Sequence, residues 1–438
     1  MRTPGIVAGS FSPPMMSVRT QADLDARQVS LKRSSTIQFL PGPLFCPSTR
    51  RGRYRRLRTL ASPSFRVVEA QIISLPRPSP DDASAHSFRY SVDPCDAAKW
   101  SELLDQFRDA NIFQTLPFCS LKAPRAKMES LIVTRDGDPV AAALVRVNAA
   151  RFGLRYAYVR WGPLWLRKQQ SPDFGVWREA VTILRSEYAI KRKMWLRIFP
   201  AATRGDYPFS SALSAAGFTR VRAAATRTML LDLTPPLAQL RKGLEQKWRN
   251  CLNNAEKNSL RIVEGIDSEL FDRFQVPYEQ MISRKGLDEP GDFQGFRAIQ
   301  RLLPDQHKLR VFLCCAGDEV YAGAIASALG ERGIYHFGAT ADNGMRTKAS
   351  YLLQWRIVEW LKERGCTEYD LHGVNRAKNP GVYNFKAGLC GKNGSEVEFL
   401  GAFDTYGSVR AALLAKAADQ IVKMFPRLKQ ILTRSGVR

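Results

Sequence analysis

From Asp96 onward the chain switches repeatedly between helical and strand-like hydrophobic periods. DAAKWSELLDQFRDA puts Trp100, Leu103, Leu104 and Phe107 on one side of a helix. SLIVTRDGDPVAAALVRVN follows, two apolar runs separated by Asp136-Gly137, a strong hairpin-turn pair. RYAYVRWGPLWL reads as a strand running into Gly162-Pro163. A helix is expected over 175–188, then the strand MWLRIFP and a short helix end stopped at Gly217. The strand TRTMLLDL closes a first unit near Leu233, and Pro235 and Pro236 mark the break, proline being favoured at a helix start.

The pattern then repeats. Helices are expected at roughly 237–258, 268–284 and about 294–303, followed by the hairpin LRVFLCCAGDEVYAGAIASALG and the strand GIYHFGAT. The helix KASYLLQWRIVEWLKERG and the strand EYDLHG come next. Both units carry a two-residue turn, a small-residue-rich strand and an aromatic strand ending in a turn. That order predicts two domains of the same mixed α/β class. Strands joined mainly by hairpins favour mixed (α+β) sheets over a doubly wound one. The expected division is 1–92, a basic arm without packed structure; 93–234 and 235–405, the two domains; and 406–438, a basic amphipathic tail.

Composition adds a partner class. The 438 residues carry a formal net charge of +25, which invites nucleic acid, anionic lipid or an anionic substrate. Residues 1–80 hold thirteen Lys or Arg against three acids, with the densest run at Arg50, Arg51, Arg53, Arg55, Arg56 and Arg58. This segment reads as an RNA- or membrane-binding arm, a targeting segment, or leader sequence from an upstream start codon. No run of about 20 apolar residues argues for a transmembrane span, and the opening residues lack the apolar core of a signal peptide. The eight cysteines are scattered without a CxxC and the four histidines lie far apart, so no metal-site signature is present. Scattered thiols fit a reducing cytoplasm.

Candidate chemistry concentrates late in the chain. The helix KWRNCLNNAEKNSLRI carries Lys247, Arg249 and Lys257, a basic face suited to a polyanion or simply solvated. Neither GxxxxGK[ST] nor GxGxxG occurs, and no cofactor is implied. The loop ADNGMRTK, with Arg346 and Lys348, is the nearest candidate for an anion-binding helix start, its alternative being an ordinary cap. In YDLHGVNRAKNPGVYNFKAGLCG, Asp370 ends a strand and either takes a proton from an ammonium nucleophile or caps loop amides. Lys386, in what reads as a second Gly-rich turn, either stabilises developing oxyanion charge or sits on the surface. His372, Asn375 and Tyr383 in the same stretch are candidate substrate contacts. So are Tyr335 and His336 in the preceding strand, where alternation sends neighbouring side chains to opposite faces. Cys390 has no neighbouring histidine and is assigned to packing.

The order YLLQWRIVEWLKERGCTEYDLHGVN…GVYNFKAGLCG, with KWRNCLNNAEKNSLRI and YAYVRWGPLW before it, resembles the FemABX-type peptidyltransferases over about residues 95–405. The resemblance implies two tandem GNAT-like domains facing a shared cleft. It also implies aminoacyl transfer from aminoacyl-tRNA to an amine of a cell-wall precursor. Independently of the resemblance, the basic amphipathic last 28 residues either touch the inner face of an anionic membrane or pack as a closing helix broken at Pro426. The family's lysine matches Lys386 and its aspartate matches Asp370. His372 stands where the family has the first glycine of a double-glycine turn, and Leu389 and Cys390 replace its phenylalanine. Two other readings stay open. One is an acyl-coenzyme A-dependent N-acyltransferase acting on a polysaccharide or small amine. The other is a non-catalytic RNA- or membrane-binding protein. The acceptor is expected to be anionic and is lipid-linked in one version.

Overall fold

A computed structural model describes residues 88–149, 155–205, 208–221, 226–286, 292–409, 411–413, 415 and 417. The basic run at 50–58, most of the arm and the tail beyond 417 lie outside them. In chain order the strands are β1 (Phe88–Pro94), β2 (Lys127–Arg135), β3 (Asp138–Ala149), β4 (Arg155–Arg160), β5 (Trp195–Phe199), β6 (Thr219–Arg220) and β7 (Arg227–Asp232). They continue as β8 (Arg261–Gly265), β9 (Arg310–Ala316), β10 (Glu319–Ala328), β11 (Arg332–Thr340), β12 (Glu368–Asp370), β13 (Gly394–Glu398) and β14 (Phe403–Tyr406). The α-helices are α1 (Ala97–Leu104), α2 (Leu116–Lys122), α3 (Phe174–Leu184), α4 (Phe209–Ala215), α5 (Leu237–Gly243) and α6 (Gln246–Glu256). After them come α7 (Ser268–Lys285), α8 (Phe293–Leu302), α9 (Gly344–Thr347), α10 (Ala349–Glu363) and α11 (Pro380–Cys390).

The strands make two seven-stranded sheets of the same plan. The first is ordered β1-β2-β3-β4-β5-β14-β6 and the second β8-β9-β10-β11-β12-β7-β13. Each contains one parallel pair, β4–β5 and β11–β12, and is otherwise antiparallel. Both sheets belong to one body. This is the mixed-sheet, two-domain architecture the sequence pattern predicts.

The two sheets do not divide the chain at one point. β7, expected to end the first unit, lies in the second sheet between β12 and β13, while β14 returns to the first sheet between β5 and β6. Thr228–Leu231 is continuously buried, as a strand covered on both faces must be. An apolar run of that kind fits either sheet equally well. The structured chain also begins earlier than expected, because Phe88–Pro94 pairs along its whole length with β2.

The single helix expected over 237–258 is two. Leu244 and Glu245 leave helical backbone with ψ of 147° and 140°. The break is held from outside: the Glu245 amide donates to the Gly388 carbonyl at 3.0 Å, and the Lys392 amide to that of Gly243 at 2.9 Å. The core of the second sheet joins Trp248 and Leu252 of α6 to Leu353, Ile357 and Leu361 of α10 and Leu389 of α11. That of the first joins Trp177, Val181 and Leu184 of α3 to Leu131, Val145 and Val159. Across the body, the Arg108 guanidinium grips both carboxylate oxygens of Glu331 at 2.8 and 2.9 Å. Ala415, at the start of the tail, packs with Tyr156 and Trp195 of the first sheet.

Candidate functional site

The site forms where β11 and β12 part. They pair only over Arg332–Ile334 and Glu368–Asp370; beyond that point Tyr335 and His336 face one side of the gap and Leu371, His372 and Gly373 the other. Asp370 is fully buried. Its Oδ1 accepts from the Thr228 hydroxyl at 2.5 Å and the His372 amide at 2.8 Å. Its Oδ1 thus holds the turn, while its buried Oδ2 meets no hydrogen-bond partner among the described residues. His372 takes the left-handed backbone conformation at φ 59°.

Lys386 lies in helix α11, not in a turn. Asn379 caps that helix by accepting from the Val382 amide, and Pro380 occupies its first position. Gly388, which suggested a turn, answers a packing demand: a Cβ there would sit 2.9 Å from Trp248 Cδ1. The ammonium of Lys386 donates to the carbonyls of His372 at 3.2 Å and Gly373 at 3.0 Å, and lies 5.6 Å from the centre of the Tyr335 ring. Burial pulls its pKa down to about 8, against the opposing charge of Asp370. Cys390 is buried in the core behind it, as the packing assignment expects, and burial pushes its thiol up to about 12.

Tyr335 and His336 do point to opposite faces. Tyr335 faces Lys386, with its hydroxyl in space that a side chain on Gly338 would fill. His336 faces the first sheet. Its Nε2 is 2.8 Å from the Ser327 hydroxyl, and its ring centre is 6.3 Å from Phe113, 5.1 Å from Phe296 and 6.4 Å from His372. A one-residue register shift in the β10–β11 pairing leaves His336 and Phe337 both against Phe296. Burial pushes the imidazole of His336 well below the usual histidine range, helped by His372 and Arg160.

The first sheet contributes Arg160, which the sequence pattern did not single out. It stands at the end of β4 with its guanidinium 4.3 Å from the Phe113 ring centre and 5.5 Å from that of Phe118. Stacking on two aromatic rings was not inferable from the local sequence, because Phe113 and Phe118 lie more than forty residues earlier. Thr228, from the exchanged strand β7, is the second group sequence reasoning missed.

The remaining candidates are spread out. Lys247 is exposed on α6, and Arg249 there donates to the Lys242 carbonyl at 2.9 Å. These residues, with Lys242 and Lys392, line an open basic groove beside α11. Lys257 is exposed at the end of α6. Arg346 is exposed in α9, and Lys348, at φ 59°, leads into α10. Asn375 accepts from the Lys378 amide at 2.9 Å, and the Tyr383 hydroxyl donates to Glu396 on β13 at 2.8 Å. Both are thus engaged in holding the loop and α11. Among the described residues no group of three or more His, Cys, Asp or Glu is placed to hold a metal ion, and no helix is long and apolar enough to cross a membrane.

Comparison with known proteins bears on this geometry. Residues 238–387 match the family model of the acetyltransferase (GNAT) domain. No curated protein matches the chain. Among solved structures the chain is similar to FemX, at 15% identity and a TM-score of 0.59, covering 72% of this chain and 97% of that one. A conserved protein of unknown function from Bacteroides thetaiotaomicron shares 9% identity with a TM-score of 0.46, over 72% of this chain and 99% of that one. L-PGS from Bacillus licheniformis shares 10% with a TM-score of 0.42, over 76% and 98%. The paired sheets have the FemX fold, and the stretch that matches the acetyltransferase (GNAT) domain model carries Asp370, His372 and Lys386.

Proposed function

We propose that the chain transfers an aminoacyl group to an amine of a cell-wall precursor, with the carbonyl under attack held beside Lys386. The supporting observation is the state of that ammonium. It has three N–H donors, and two are committed to the carbonyls of His372 and Gly373. The third is free for the oxygen of a tetrahedral intermediate, in a site dry enough to strengthen the interaction. A pKa of about 8 leaves the group charged at neutral pH.

The N–C bond forms as the amine attacks, and the C–O bond of an aminoacyl ester then breaks. Asp370 is a positioning group in this scheme, since its buried carboxylate holds the His372 amide and offsets the charge on Lys386. The basic groove along α6 suits a polyanionic donor such as aminoacyl-tRNA. Arg160, across the gap, suits an anionic acceptor. Such donors are cytoplasmic, which is where we place the reaction.

A second reading replaces the ester with an acyl-coenzyme A thioester. The acetyltransferase family match favours it, while the glycine-poor loop before α10 does not. A donor screen separates them: aminoacyl-tRNAs and acyl-coenzyme A, each offered with a lipid-linked precursor or a simple amine, with products read by mass. Product from aminoacyl-tRNA alone is the expected result. Product from acyl-coenzyme A alone selects the second reading, and no product from any pair rejects both.

A further inference from the structure

The His372 side chain has no part in the scheme above, yet its placement is unusual. Its backbone sits in the left-handed region, which costs free energy for any residue with a Cβ and which glycine would occupy freely. Among the described residues no group hydrogen-bonds either ring nitrogen, whereas the backbone on both sides is tightly held, the amide by Asp370 and the carbonyl by Lys386. More than a third of the residue is open to solvent, even though the ring is hemmed in on the gap side. His336, the other imidazole there, already has its Nε2 engaged by Ser327. A free imidazole on a fixed backbone, one residue from the carbonyl that Lys386 also grips, is poised to exchange a proton with a molecule in the gap.

We propose that His372 is the general base that removes the proton from the attacking ammonium. The inference rests on the amine-acylation reading above and adds the residue that starts it. The ammonium gives one proton to the imidazole, and the neutral amine attacks the carbonyl. As the C–O or C–S bond breaks, a second N–H proton passes to the leaving oxygen or sulfur, and the imidazolium returns its proton to solvent. The charges around the ring keep it basic in form. Burial is the main influence holding it below the usual histidine range; Lys386 of α11 and Arg160 of β4 act the same way, and Asp370 of β12 opposes them. His336 of β11 faces it as well. Lys386 and Arg160 thus favour the proton-free imidazole, the form that can accept a proton, and they disfavour a charged amine as well.

The test compares His372→Gly and His372→Gln with the wild type, in full-length protein, using whichever donor and amine the screen identifies. Glycine fits the backbone, so this variant should melt at the same or a higher temperature. Its kcat should fall about 100-fold with the acceptor KM little changed. The acid limb of its kcat–pH profile, which in the wild type lies below the usual histidine range, should disappear. Added imidazole should restore turnover in the glycine variant and not in the glutamine variant, whose side chain fills the space. An unchanged kcat, a surviving acid limb or a failure of imidazole to rescue His372→Gly overturns the assignment while the wild type still acylates amines. A wild type that acylates no amine overturns the parent reading, and the assignment with it.

Discussion

The parallel-strand junctions of the two sheets occupy the same place in the same plan, and they are finished in opposite ways. In the first sheet, β4 and β5 pair over all of Tyr156–Arg160 and Trp195–Phe199, and the Trp161 amide extends the ladder to Phe199 at 2.6 Å. The chain then turns at Trp161 and the cis Gly162-Pro163 bond and rejoins β3 at Ala142. The gap left between β3 and β4 is closed by Gln114, whose amide donates to the Arg160 carbonyl at 2.6 Å and accepts from the Leu144 amide at 2.8 Å. What remains past the junction is a cavity of about 310 Å³ lined by Trp161, Trp165 and Phe209 together with the charged Asp109, Glu331 and Arg332.

In the second sheet the pairing stops after three residues, and an ammonium, a carboxylate and two imidazoles collect where the strands part. The contrast teaches where chemistry is available in a repeated fold. A junction closed by backbone hydrogen bonds keeps the ends of its own strands engaged, whereas one that parts early can present loop carbonyls and side chains at its edge.

The sharpest way to break the comparison is to truncate one residue at each junction. Lys386→Ala should cut turnover by about 10²–10³-fold, as removal of an oxyanion donor does, with little loss of stability. Trp161→Ala should do the reverse, destabilising the fold by about 3–5 kcal/mol while the folded fraction keeps its turnover. Paired melting curves and active-site-normalised rates check both, and equal losses in both measurements for Lys386→Ala would make it structural. Gln114→Leu tests whether the plug matters: it strands the Leu144 amide and the Arg160 carbonyl at about 1–3 kcal/mol each, measurable by denaturant unfolding.

A third prediction uses pH. Lys386 holds its proton to about pH 8 when folded and to 10.5 when free. Between those values the unfolded chain binds the proton and the folded chain does not. The burial penalty, on the order of 3 kcal/mol, is thus fully present below pH 8. It is relieved as pH rises toward 10.5, so stability should climb through that window. The climb should vanish in Lys386→Met, and an identical slope in that variant would contradict the assignment. The smallest effect is expected from Thr228→Val, which keeps shape and removes the hydroxyl that Asp370 accepts, for a loss of about 1.5–3 kcal/mol. The corresponding strand of the first sheet, β14, supplies Asp404 instead, which accepts from the Arg197 guanidinium of β5 at 2.7 and 2.8 Å.

Much of this architecture is legible in the sequence. Asp136-Gly137 and Gly317 sit in the β2–β3 and β9–β10 hairpins because both turns need positive φ, which Asp136, Gly137 and Gly317 adopt. The gathering of Asp370, His372 and Lys386 followed from their closeness in sequence. Other features depend on distant partners. Lys386 reads as part of a Gly-rich turn from its neighbours alone; the helix is there because Asn379 and Pro380 start it and Gly388 answers the closeness of Trp248. Asp370 looks identical in sequence whether it faces solvent or core; only the placement of Thr228 beneath it decides. Arg160 could not be read as a cleft residue without knowing that Phe113 and Phe118 lie under its guanidinium.

The exchanged strands β7 and β14 also carry a consequence for synthesis. During translation β7 leaves the ribosome before any strand it will pair with, so it must wait unpaired while the next hundred and more residues are made. The first sheet, although nearly all of it is made early, stays one strand short until Tyr406 emerges. Neither half can finish without the other, and a gene fragment ending between them would encode a sheet with an empty slot and a hydrophobic strand with no home. The two lobes are joined as links of a chain are joined, and a lineage that inherited one lobe alone would have had to rebuild an edge.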